Sequence, residues 1–214
     1  MAFGGFFDDV KSGGDFYPYV KYDAKSGRIS RADKVNGEKS EVDITKNFKA
    51  IFDFENVEIG WSIFPLGAAP DFKMRKMSEG VNIPKPGEGY KRAVRWIIKL
   101  SKECGGDVRE FSSNAIAFMD GAKKLCDDYD QGVKENPGKL PIVRFVDSVA
   151  TTSKGGALKV TNYAPVFEIV GWTPRPDDLI YKSRSSSESA PTSTGPASTG
   201  STKVAAPADE DDFG

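Results

Sequence analysis

The residues best suited to chemistry lie in one stretch, 70–92, which reads PDFKMRKMSEGVNIPKPGEGYKR. Six cations, Lys73, Arg75, Lys76, Lys85, Lys91 and Arg92, face three carboxylates, Asp71, Glu79 and Glu88, a surplus of +3 in 23 residues. Phe72, Met74 and Tyr90 are interleaved with them, Trp61 and Phe64 lie just upstream, and Trp96 follows. Arg95 and Lys99 carry the positive character into the outward phase of the next strand. Cations spaced between aromatic rings suit one task well, which is to track a phosphate backbone while unpaired bases stack on the rings. Stacking contributes about 1–3 kcal/mol per base and tolerates any sequence. Each neutralised phosphate adds a salt-dependent, sequence-independent term.

Other chemistries find no footing. The chain has no histidine, which removes Ser-His-Asp and Cys-His catalysis and makes a structural zinc site improbable. No GxxxxGK[ST], HExxH, GxSxG or DxDxDG pattern occurs, and Gly4-Gly5 and Gly13-Gly14 lack the strand-then-helix setting of a dinucleotide site. The reading is a protein that is not an enzyme and that needs no cofactor or metal. Cys104 and Cys126 belong to no CxxC pair and read as reduced thiols.

The candidate residues need a frame. Period-two alternation marks strands at Tyr17–Ile29, with Lys25-Ser26-Gly27 as a turn, and at Phe48–Phe54. The phase slips at Glu55-Asn56, which predicts a turn or bulge before Val57, Ile59, Trp61 and Ile63. Val94, Trp96, Ile98 and Leu100 alternate with Arg95, Ile97 and Lys99, so Trp96 reads as core. Leu140–Ala150 and Leu158–Trp172 form a hairpin about Ser153–Gly156, with Pro165 marking a bulge or an edge. One segment follows the helical period: Ala115, Ile116, Met119, Ala122, Leu125, Cys126, Tyr129 and Val133, with Ser112-Ser113 as N-cap and Asn136-Pro137-Gly138 as stop. Strands, one helix and a closing hairpin make up the order of a mainly β, OB-fold-like five-stranded barrel with its helix between strands 3 and 4. On the last strand Lys159 and Tyr163 share the outward phase and join the candidate binding face.

A composition break at Lys182 divides the chain into a domain over 1–182 and a tail over 183–214. The domain holds 28 basic and 26 acidic residues, the tail two basic and five acidic. Residues 183–208 are Ser, Thr, Pro, Ala and Gly almost throughout and predict a disordered linker. It ends in Asp209, Glu210, Asp211, Asp212 and Phe213, four carboxylates and a ring that read as a partner-binding peptide. A linker of this length reaches about 25–30 Å, enough to fold back on the body. No run of apolar residues is long enough for a membrane span, and Met1–Phe7 lacks the basic and long apolar regions of a signal peptide.

A mildly basic β-barrel body, a Ser/Pro/Gly-rich linker and an acidic tip with an aromatic resemble the single-stranded DNA-binding proteins of bacteria and of tailed bacteriophages. FKAIFDFENVEIGWSIF (48–64) and KLPIVRFVDSVATTSKGGALKVTNYAPVFEIVGW (139–172) look most like the phage type. The resemblance implies a protein that coats single-stranded DNA in replication, recombination or repair. It would work as a monomer or small homo-oligomer in the cytoplasm, that of the host cell if phage-encoded. The tail would recruit replication or recombination proteins and compete with DNA for the basic groove. The chain departs from bacterial tails in ending Phe213-Gly214. The competing expectation is a structural or virion-assembly β-domain without nucleic-acid binding. The DNA reading requires that Phe72, Tyr90 and Tyr163 are not all sealed in the interior and that the cations gather on one surface.

Overall fold

The computed structural model describes residues 17–35, 38–67, 70–155 and 158–182. The elements are β1 (Tyr19–Asp23), β2 (Arg28–Val35), β3 (Glu38–Asp43), β4 (Lys49–Phe52), β5 (Glu58–Ile63), β6 (Asp71–Lys76), β7 (Lys91–Leu100), β8 (Val108–Ser113), α1 (Ile116–Gly132), β9 (Lys139–Gly155) and β10 (Leu158–Pro174). Over the described residues the protein is mainly β with one α-helix. All ten strands belong to one mixed sheet in the order β10-β9-β4-β7-β8-β1-β2-β3, with β5 joined to β7 and β6 joined to β5. The β1–β8 pair is parallel and the others antiparallel. One ten-stranded sheet replaces the expected five-stranded barrel: period-two alternation runs β1 and β2 together about their turn and does not mark β3, β6 or β8 as strands. The helix does fall where expected, between the strands and the final hairpin.

The phase slip after Phe54 has a clear structural cause. β4 and β5 lie along the same edge of β7, where Phe52 pairs with Ile98 and Glu58 with Arg95. Between them the Asp53 amide still bonds Ile97 O at 3.0 Å, and the chain then loops out over Phe54–Val57. Asp53 holds this excursion by accepting from the Asn56 amide (3.2 Å) and side chain (2.9 Å). The odd number of extra residues exchanges the two faces, as a bulge does.

Phe48, Phe52, Trp96, Phe111, Phe118 and Phe167 are buried in one cluster between the sheet and α1. Full burial of each such ring stabilises the fold by about 1.5–3 kcal/mol. The helix buries Ala117, Phe118, Gly121, Ala122 and Leu125. Ile116, expected on that face, is 79% exposed. The cap is also corrected: Ser112 and Ser113 end β8, the Ser113 hydroxyl accepts from the Ala115 amide, and Ala115 itself is the uncharged N-cap. Helix and sheet come close enough at Gly121 that a Cβ there would stand 2.2 Å from Pro165 O. Only glycine fits at that spot.

A second, smaller cluster covers the opposite face of the sheet. Ile97, Val108 and Leu140 are buried there beneath Leu179, with Tyr17, Ile51 and Tyr181 around them. The segment after β10 therefore crosses the outer side of β7. It is pinned by Arg175 on Asp53 (2.6 and 2.8 Å), by Lys99 on Asp178, by the Tyr181 hydroxyl on Glu58 (2.6 Å) and by Arg95 on Lys182 O (3.0 Å). The sheet also curls. The Tyr163 amide bonds Ala24 O in the β1–β2 turn at 2.7 Å, and the Tyr22 hydroxyl bonds Tyr163 O at 2.8 Å. Pro165 lies one residue before a register shift at Val166/Phe167, on the terminal strand of the sheet, as its position suggested. The expectations for 183–214, including Asp209, Glu210, Asp211, Asp212 and Phe213, lie outside the described residues, as do Gly4-Gly5 and Gly13-Gly14.

Candidate nucleic-acid interface

β6, β5 and the first half of β7 make a three-stranded arm, and its register decides which side chains meet. Trp61 on β5 stands opposite Lys73 on β6 and opposite Arg92 on β7. Directly opposed residues place their Cβ atoms about 4.5–5.5 Å apart on one face. Lys73, Trp61 and Arg92 thus form a row across the arm, with Lys73 and Arg92 exposed and Trp61 half-buried. The Arg92 guanidinium lies 4.8 Å from the Trp61 ring centroid and Lys85 Nζ lies 5.9 Å from it. Such cation–ring contacts contribute about 0.5–1 kcal/mol each at exposed sites.

The reverse face of the arm carries a second row, Phe72–Ser62–Lys91. Phe64, 61% exposed, packs edge-on against Phe72 with centroids 5.6 Å apart. Asn114, just past β8, donates to the buried Ser62 hydroxyl at 3.0 Å and ties the arm to the rest of the sheet. Lys85, Lys91 and Arg92 have no described carboxylate within salt-bridge distance, whereas Lys73 has Asp71 at 3.5 Å.

The remaining candidates are spent on the protein itself. Arg75 donates from Nε to Gly80 O (3.1 Å) and from Nη2 to Asn82 O (2.8 Å). Lys76 donates to Asn56 Oδ1 at 2.8 Å and sits 4.0 Å over the Tyr181 ring. Tyr90, half-buried, donates its hydroxyl to Asp71. That bond raises the Tyr90 pKa and lowers the Asp71 carboxyl below the ordinary aspartate value. Next to Tyr90, Gly89 has φ +78°, and a Cβ there would meet Ile63 Cδ1 at 2.8 Å.

Arg95 is the clear correction among the site residues. Expected on the outward face, it is 2% exposed and ion-paired to Glu58 and, at 2.9 Å, to Glu110. Burial pulls its pKa down, but the attraction of Glu110 and Glu58 more than offsets that and leaves it above the ordinary value. The outward phase is real, but the segment ending at Lys182 roofs it over, and period-two alternation within one strand cannot report a roof that comes from far along the chain. Lys99 is half-buried for the same reason.

Tyr163 is half-buried on β10, separated from Trp61 in the strand order by β7, β4 and β9. The Lys159 backbone pairs with Lys154 near the hairpin end, and its side chain lies outside the described part. Phe72, Tyr90 and Tyr163 are therefore all partly accessible. Lys73, Arg75 and Arg92 share the Trp61 face, and Arg95 does not. Lys85, one of the six cations of 70–92, is the member that residue pattern does not place beside Trp61. It lies between Pro84 and Pro86, which stiffen the loop that carries it.

The recess beside the helix offers less to a polyanion. About 710 Å³ in volume, between α1 and β10, it is lined by Asp128, Glu135 and Glu168 against a single Lys124. The Cys126 thiol is pushed up to about 11 by burial, so it is inert near neutral pH. Among the described residues no cluster of side chains fits a metal ion, and no helix is long and apolar enough to cross a membrane. Comparison of the chain with protein-family models, with curated proteins and with solved structures finds no match.

Proposed function

We propose that this chain binds single-stranded DNA without regard to sequence, and that bases stack along the arm at Trp61 while the exposed cations hold the phosphates. One observation carries the proposal: three neighbouring strands bring Lys73, Trp61 and Arg92 into a single row, with Lys85 above it. A ring flanked by cations, uncompensated except for Lys73, binds a strand through its faces and its charge and needs no base-edge contacts. The exposed Phe64 and the adjoining Phe72 offer a second stacking surface at the end of the same arm, beside Lys91.

The order of part of the larger sheet supports the same reading. β4–β5, β7 and β8 form an antiparallel meander, α1 follows, and the β9–β10 hairpin returns so that β9 pairs with β4. We read this order as OB-like, although β8 here continues into β1, and in OB-folds the loop after the first strand commonly reaches the nucleic acid. Here the corresponding connection is the β5–β7 segment that carries β6 and Lys85. In this proposal the protein acts in replication, recombination or repair. Asp209–Phe213 serves as a hook for protein partners and as an intramolecular competitor for the cationic row.

The test is a titration of the full chain with oligo(dT), read by tryptophan fluorescence at two salt concentrations. Trp61 quenching with a steep loss of affinity at higher salt is the expected result. Binding that survives Trp61→Ala and Arg92→Gln unchanged sinks the proposal.

A further inference from the structure

Arg75 sits in the middle of the cationic stretch, yet two of its donors, Nε and Nη2 along one edge of the guanidinium, point at backbone carbonyls. Nε reaches Gly80 O and Nη2 reaches Asn82 O, so the guanidinium grips a turn of its own chain as a two-pronged fork. One residue further on, Ile83 O accepts from Trp61 Nε1 at 2.9 Å. These three bonds pull residues 80–83 down onto the face of the arm that carries Trp61. Lys85 follows two residues later between Pro84 and Pro86, and its Nζ stands over the Trp61 ring. The Tyr90–Asp71 bond fastens the far end of the same loop.

We infer that Arg75 is a positioning residue and not a phosphate contact. It latches the 80–89 loop in place so that Lys85 becomes the third cation of the Trp61 row, beside Lys73 and Arg92. The nucleic-acid part of this inference rests on the proposed function, while the latch itself does not. Lysine at position 75 keeps the charge and loses the fork, so it separates the two roles: a phosphate contact tolerates the change and a latch does not.

The experiment compares the full wild-type chain with Arg75→Lys, Lys85→Gln and Trp61→Phe by two measurements. The first is amide hydrogen exchange across residues 78–89 in free protein. Arg75→Lys is expected to speed it at least tenfold, Trp61→Phe, which lacks the indole N–H, to speed it around Ile83, and Lys85→Gln to leave it unchanged. The second is oligo(dT) affinity at several salt concentrations. Arg75→Lys is expected to weaken binding severalfold with the salt slope unchanged, and Lys85→Gln to lower the slope by about 0.7, one phosphate on a single strand. Unchanged exchange in Arg75→Lys overturns the latch, whatever Trp61→Phe does. A salt slope lowered by Arg75→Lys, or untouched by Lys85→Gln, overturns the division of roles. If the wild type does not bind oligo(dT) at all, the proposed function fails, and the exchange measurement still decides the latch.

Discussion

Arg92→Gln isolates the electrostatic half of the proposed interface. Arg92 is exposed at the start of β7, has no described carboxylate partner and lies 4.8 Å from Trp61. Four cations surround that ring or its arm: Lys73, Lys85, Lys91 and Arg92. At about 0.7 per phosphate for single strands, four contacts give a slope of log K against log salt of about −2.8. Between 50 and 200 mM salt such a slope weakens binding about 50-fold. Removing one contact brings the slope to about −2.1 and the same salt step to about 20-fold. Asp71 competes for Lys73 at 3.5 Å, so the wild-type value is an upper bound and the difference between the two proteins is the firmer quantity. Fluorescence anisotropy with a labelled oligo(dT) across five or more salt concentrations yields both slopes, and thermal unfolding serves as the control for folding. A slope in Arg92→Gln indistinguishable from wild type refutes the placement of phosphate beside Arg92. A wild-type slope near zero refutes the whole electrostatic account.

Two further predictions address the interior and the tail. Arg95→Met strands the buried Glu58 and Glu110 without their cation and costs about 3–5 kcal/mol, read by urea unfolding; a loss under about 1 kcal/mol shows that the pair is not stabilised as the geometry suggests. Truncation after Ala208 removes Asp209–Gly214 and tightens single-strand binding, most visibly at low salt where charges are least screened; equal affinities at low salt count against the tail as competitor.

Sequence pattern revealed the parts of this molecule that depend on neighbours along the chain. The slip at Glu55-Asn56 announced the excursion between β4 and β5, the alternation of Val94, Trp96, Ile98 and Leu100 marked a buried face, and Ser153–Gly156 announced the long β9–β10 hairpin. What failed depended on distant partners. β3 has too few apolar residues to show a period, and β6 is hidden inside a stretch whose signal is its charge and rings, not alternation. The stretch 70–92 was rightly picked out as cationic and aromatic, but its side chains divide three ways. Lys73, Lys91 and Arg92 face outward, Arg75 and Tyr90 bind their own loop, and Lys76 turns to Tyr181. Composition cannot make that division, because it is set by cross-strand register and by carbonyls at the ends of turns.

The route of residues 175–182 has a practical outcome for anyone attaching this protein to something else. Glu58 and Arg95 point to the opposite side of the arm from Trp61, and Lys182 is stitched down beside them. A dye, a bead or a glass slide fixed directly after Lys182, in place of residues 183–214, therefore starts from the back of the stacking row.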